Sequence, residues 1–140
     1  MIKYKEFRNL RQKGIDAFPM MFAFSKEQFS EGKKKLGVID DRELLSLGAG
    51  GFIRKIDRDK FICIIKSGET ALKNYLKDEE QLIDALVYEL GNYEYCYTMD
   101  ETDALESLDL NIDKLTKKQI KALKTAKKQY IKYCEDNDIL

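Results

Sequence analysis

Apolar positions recur every three to four residues along most of this chain, and that period predicts helices. Near the start, Ile2, Tyr4, Phe7, Leu10 and Arg11 recur near a 3.6 period, predicting an amphipathic helix that stops before Gly14. Pro19 separates it from MMFAF at 20–24, an apolar run suited to a short buried strand. Ser25 followed by Gln28 resembles a capping box, so a helix should start there, carry Phe29 and Leu36 inward and end at Gly37. Asp40 with Glu43 offers a second cap, for a short helix through Leu44, Leu45 and Leu47.

The GAGG run at 48–51 reads as a tight turn, and FIRK after it as another short strand. From Asp57 one helical face carries Phe61, Ile64, Ile65, Leu72, Tyr75 and Leu76, with Gly68 inside it. A glycine there costs about 1 kcal/mol relative to alanine, so Gly68 marks a close helix crossing or a break. A further helix from Glu79 to Leu90 has Leu82, Ile83, Leu86, Val87 and Leu90 on a broad apolar face, as befits the central core helix, with Gly91 as its C-terminal cap. Tyr93, Tyr95 and Tyr97 then alternate with Glu94, Cys96 and Thr98, the period of two expected of a strand. Asp100 or Thr102 caps a short helix through Leu105 and Leu108. Thr116 with Gln119 opens a long last helix, with Ile120, Leu123, Tyr130, Ile131 and Cys134 as its inward stripe. The expected architecture is α+β: a single helix-rich globular domain over residues 1–140, with about five to seven helices and a small sheet of short strands.

Composition removes several chemistries. The 140 residues contain no histidine, which takes away the commonest general base and the partner that Ser-His-Asp or Cys-His nucleophilic sites require. The cysteines, Cys63, Cys96 and Cys134, are odd in number and widely spaced, so neither a disulfide framework nor a zinc knuckle is indicated. The glycines of GAGG are not followed by Lys-Ser or Lys-Thr and do not complete GxGxxG, so nucleotide binding is not expected, and no cofactor or metal is called for. No apolar run approaches the ~20 residues that cross a bilayer, and MIKYKEFRNLRQK lacks the core of a signal peptide. The expectation is a cytoplasmic protein that does not enter the membrane.

Charge changes the picture more. Formal net charge is zero, yet Asp78 to Asp109 holds eleven carboxylates and no Lys or Arg, while Lys114 to Lys132 holds eight lysines and no carboxylate. One interpretation is that the basic last helix neutralises the acidic segment within the fold, each exposed pair adding at most about 1 kcal/mol. The other is that each sign forms its own face. An acidic face comprising Glu89, Glu94, Asp100, Glu101, Asp103 and Glu106 would occupy a basic surface on another protein. Lys117, Lys121, Lys124 and Lys128, spaced to share one helix face, would instead contact nucleic acid.

The densest stretch is ELGNYEYCYTMDETD, residues 89–103. Glu89 and Glu94 flank a turn at Asn92 and could form an acid pair for a carboxylate-dependent enzyme, or a site for a hard cation. Glu89 also stands near a helix C-terminus, where a negative charge is unfavourable, so its presence hints at a specific contact. DETD lacks the glycine and distal glutamate of an EF-hand loop, and its carboxylates suit the first turn of a helix.

Three segments in order, FPMMFAFSKEQFSEGKKKLGV at 18–38, GAGGFIRK at 48–55 and LIDALVYELGNYEYCYTMDETDALESL at 82–108, resemble a family of small uncharacterised proteins found in bacteriophages and mobile elements of Firmicutes and Bacteroidetes. Where that family often has Asn-His-Glu-Tyr at the turn, this chain has Asn92, Tyr93, Glu94 and Tyr95. The resemblance implies no reaction. It implies a phage setting, hence a bacterial host cytosol, and small proteins that act by binding, such as anti-CRISPR inhibitors of host defence enzymes. The expectation is therefore a protein-binding module more than an enzyme, meeting a host or phage protein with a basic surface.

Overall fold

The computed structural model describes residues 1–139. Among them run seven α-helices and three strands: α1 (Tyr4–Asp16), β1 (Met21–Phe22), α2 (Lys26–Leu36), β2 (Leu44–Gly48), β3 (Gly51–Arg54), α3 (Arg58–Tyr75), α4 (Glu79–Asn92), α5 (Tyr95–Thr98), α6 (Thr102–Ser107) and α7 (Lys117–Asp136). The fold is α+β, as the patterning predicts. The chain divides into two compact units, one formed by Met1–Asn9 with the chain from Thr70 onward, the other by Leu10–Glu69.

The second of these units is built on a three-stranded antiparallel sheet in the order β1-β3-β2. Met21, Val38 and Leu44 form its buried cluster, with Phe29, Leu36 and Phe52 packed against them. The close approach of α2 to β1 depends on Gly32, where a Cβ would fall 2.8 Å from the Met21 side chain. Ser25 caps α2 as expected, its hydroxyl accepting from the Gln28 N–H, and Gly37 closes the helix in the left-handed region at φ 70°. The Gln28 side chain, however, accepts from the Phe24 N–H and so does not complete the expected capping box. Between β2 and β3, Gly48 pairs with Gly51 across a two-residue loop. Both loop residues, Ala49 at φ 49° and Gly50 at φ 80°, have the positive φ of a type I′ hairpin turn.

Two expectations fail in this unit. The first helix runs through Gly14 to Asp16. The helix expected through Leu44, Leu45 and Leu47 is a single 3-10 turn, Asp41–Glu43, followed by strand β2. Asp40 does cap that turn, but a short leucine run fits either period, and pairing with β3 decides it. Gly68 does not break the helix, since α3 continues through it, and a Cβ there would stand 3.5 Å from the Arg11 guanidinium, an ordinary contact that does not demand glycine.

The other unit is helical. Its core is one contiguous cluster in which Leu82, Ala85, Leu86 and Leu90 of α4 meet Leu105 and Leu108 from the α6 region and Leu123, Ala126, Tyr130 and Cys134 of α7. Burying a leucine or a comparable side chain contributes about 1.5–3 kcal/mol, so the α4–α7 seam, lined by small Ala85, Ala122 and Ala126, carries much of the unit's stability. Thr116 and Gln119 form the expected capping box of α7. Ile120, expected to face inward, is 44% exposed, and Ala122 takes a place on the buried stripe instead.

Candidate functional site

Glu89 lies on the buried face of α4 and is only 2% exposed. A carboxylate in such a place must be met by donors, because an unpaired buried charge is strongly destabilising. Two of its three partners come from the far end of the sequence. The Tyr4 hydroxyl donates to Glu89 Oε1 at 2.8 Å, Asn92 Nδ2 donates to Oε2 at 3.2 Å, and Arg8 Nε stands 3.7 Å from Oε1. Arg8 also donates to the Tyr88 hydroxyl at 2.9 Å and lies over its ring. Burial alone would lower the Arg8 pKa, but the Tyr88 hydrogen bond and the field of Glu89 outweigh it and hold it above the ordinary guanidinium value.

The same cluster fastens the N-terminal segment to α4. The Tyr4 N–H donates to Asp84 Oδ2 at 2.7 Å, and the Tyr75 hydroxyl donates to the Ile2 carbonyl at 2.7 Å. Phe7 stacks on Tyr75 with ring centroids 4.3 Å apart. The contact hinted at by a glutamate near a helix C-terminus is therefore internal.

The segment beyond Glu89 is not the strand that its alternating tyrosines predict. Helix α4 continues past Gly91 to Asn92, and Gly91 serves packing rather than capping, since its Cβ would lie 3.4 Å from the Tyr130 ring. Glu94 takes a left-handed conformation at φ 55°, and the one-turn helix α5 follows, closed by a left-handed Met99 at φ 54°. Adjacent Tyr95 and Cys96 are buried together while Tyr93 and Tyr97 are exposed, a placement that a strand cannot produce. The backbone bonds are local: the N–H groups of Tyr97 and Thr98 both donate to the Glu94 carbonyl.

Of the residues expected on an acidic face, Glu89 belongs to the core. Glu94, Asp100, Asp103 and Glu106 are exposed on the α5–α6 segment, beside the exposed Tyr97 and Met99. Asp100 accepts from the Thr102 hydroxyl and N–H, which hold its carboxyl below the usual carboxylate range. Glu101 is partly buried and pairs with Lys127 at 3.1 Å. That is the one ion pair, among the described residues, between the acidic and basic segments. Glu89 and Glu94 thus do not act as a matched pair of surface carboxylates: one is enclosed by donors and the other is solvated. Among the described residues, no three acidic or thiol side chains are grouped as metal ligands.

Lys117, Lys121, Lys124 and Lys128 are all exposed on α7, and within the described residues none has a carboxylate at ion-pair distance. Lys127, which the sequence did not single out, is the one turned to use, reaching Glu101 and lying 5.4 Å from the Tyr95 ring centre. Tyr4 and Arg8 likewise gave no signal as partners of Glu89, because nothing local links positions 85 and 81 residues apart; the misplaced charge of Glu89 was the single clue.

Comparison with known families supplies the wider setting: a family described only as of unknown function, DUF7659, matches residues 3–136. The chain belongs to this family. No curated protein sequence and no solved structure matches it. No helix among the described residues is long and apolar enough to cross a membrane.

Proposed function

We propose that this DUF7659 protein is a binding module of phage or mobile-element origin that acts in the cytoplasm of a bacterial host. Its α5–α6 segment docks on a basic protein surface and so inhibits a host enzyme of the defence type. The observation that carries this reading is that Glu94, Asp103 and Glu106 stand exposed without cationic partners among the described residues, while apolar Tyr97 and Met99 are exposed between them in sequence. Interfaces are dominated by aromatic and Met anchors with a polar rim, and rim charge steers association and selects partners. Affinity capture from bacterial lysate tests it, with the intact protein compared against the Glu94→Lys/Asp103→Lys/Glu106→Lys variant. A partner retained by the first and lost by the second is expected; equal capture by both, or capture by neither, counts against the reading.

A second reading is favoured by a separate observation, the unneutralised lysines of α7. On this reading Lys117, Lys121, Lys124 and Lys128 contact nucleic-acid phosphates, and affinity falls steeply with salt. Undetectable DNA and RNA binding at low salt removes it.

A further inference from the structure

Four helix ends meet in the helical unit around a cavity of about 310 Å³. They are the last turn of α3, the first turn of α4, the chain leaving α6, and the first turn of α7. The chain leaving α6 is fixed by a Schellman-type closure, in which the Leu110 N–H donates to the Leu105 carbonyl at 2.9 Å and Asp109 takes the left-handed conformation at φ 58°. That closure turns the chain away from the helix axis and leaves Leu108 and Leu110 facing the cavity, beside Leu76 and Leu82. Leu82 and Leu108 are core residues, so the cavity opens directly onto the hydrophobic interior.

The polar part of the wall holds three lysines and two carboxylates beside Thr116 and Gln119. Lys73 and Lys77 come one helical turn apart from the end of α3, and Lys118 from the first turn of α7. None of the three is in an ion pair among the described residues. Glu79 and Asp109 also line the cavity, which leaves the cations in excess. The first turn of α7 carries no carboxylate, so the positive end of its dipole adds to that excess. An apolar pocket with a few convergent polar groups is the usual form of a small-molecule site, and known pockets span about 300–1,000 Å³, which puts this one at the small end.

We infer that this cavity binds a small apolar molecule ending in a single anionic group, with the apolar part against the leucines and the anion held by Lys73, Lys77 and Lys118. This is independent of the docking surface on α5–α6. Like charges gathered from separate helix ends repel one another, and an anion between them relieves that repulsion while burying its tail. The carboxylate geometry is not demanding for lysine, whose ammonium acts as a compact point charge, so chain length and charge rather than exact shape set selectivity.

The test is a titration of the full chain, followed by amide chemical shifts, with octanoate, octanol and octylamine as probes. Octanoate should give saturable shifts confined to residues 73–82 and 108–119, and bind at least about ten-fold more tightly than either of the others, a margin that one or two charge-assisted contacts supply. Lys118→Glu and Lys77→Glu, both at exposed positions, should each weaken octanoate by about ten-fold, while Lys5→Glu leaves it unchanged. The same spectra report whether each variant is folded. Leu110→Trp, which fills the cavity from a half-buried position, should abolish the shifts even if a lysine variant folds poorly. Absence of saturation in the millimolar range, equal affinity for octanoate, octanol and octylamine, or shifts centred elsewhere overturns the inference.

Discussion

The hydroxyl of Tyr4 donates a 2.8 Å hydrogen bond to the buried carboxylate of Glu89, across 85 residues of sequence. It makes the N-terminal segment part of the helical core, because the acceptor is nearly inaccessible to water and cannot replace the donor it would lose. Tyr4→Phe is therefore expected to destabilise the protein by about 1.5–3 kcal/mol, the range for a hydrogen bond to a charged group. Glu89→Gln should cost less than Glu89→Ala, and Tyr4→Phe should cost less in the Glu89→Gln background than in the parent. Urea denaturation of the four proteins in that cycle measures the coupling, and additive effects would show that the two groups do not depend on one another.

Alkaline stability follows from Tyr75, whose pKa is raised to about 12 by burial and by the nearby charges of Asp84 and Asp78. The fold holds the phenol neutral more tightly than the unfolded chain does, where the value is 10.0. Its contribution is thus intact below pH 10 and is lost as the pH rises from 10 to about 12. Tyr130 is shifted in the same direction, by burial first and then by hydrogen bonding with Cys96 and Cys134. Denaturation midpoints should fall steeply over that window. Tyr75→Phe should start lower at neutral pH, having lost the bond to the Ile2 carbonyl, and fall less on the alkaline side.

In the β2–β3 hairpin, Ala49 occupies a left-handed position at φ 49° that a Cβ disfavours by roughly 1–2 kcal/mol. Asn-Gly is the preferred dipeptide of a type I′ turn, and Gly50 already supplies its second residue. Ala49→Asn should raise stability by about 1 kcal/mol and Ala49→Val should lower it, both read from the thermal midpoint.

These cases show what was legible in the sequence. The caps at Ser25, Gly37 and Thr116 were, because each is a bond between residues three or four positions apart. The core face of α4 was too, since its leucines repeat over several turns. Leu44–Leu47 was not, because a run that short fits a helix or a strand and long-range pairing chooses. The tyrosines at 93, 95 and 97 imitated a strand, and what overrode the alternation was burial of neighbouring Tyr95 and Cys96 against the core after a left-handed Glu94. At the candidate sites, the segregation of charge was plain from composition, but not that Glu89 would leave the acidic face for the core. Nor could the sequence place Lys118 beside Lys73 and Lys77, which belong to another helix end.

The lysines of α7 allow stability and binding to be separated in one substitution. Lys124 has Lys121 three residues before it, and Lys127 and Lys128 three and four after it, all on one helix and without an intervening carboxylate. Like charges at that spacing destabilise a helix by about 0.2–0.5 kcal/mol per pair, and a glutamate N-terminal to lysine by four residues is the favourable orientation. Lys124→Glu should therefore stabilise the fold by about 0.5–1 kcal/mol, measured by urea denaturation. A chain that keeps a less stable arrangement on an exposed face does so at no benefit to folding, so the effect on binding decides between the two functional readings. If α7 contacts phosphates, the same variant weakens nucleic-acid binding and lowers the salt slope by about one. If the α5–α6 segment is the docking surface, the variant captures the same protein partner as the parent while being harder to unfold.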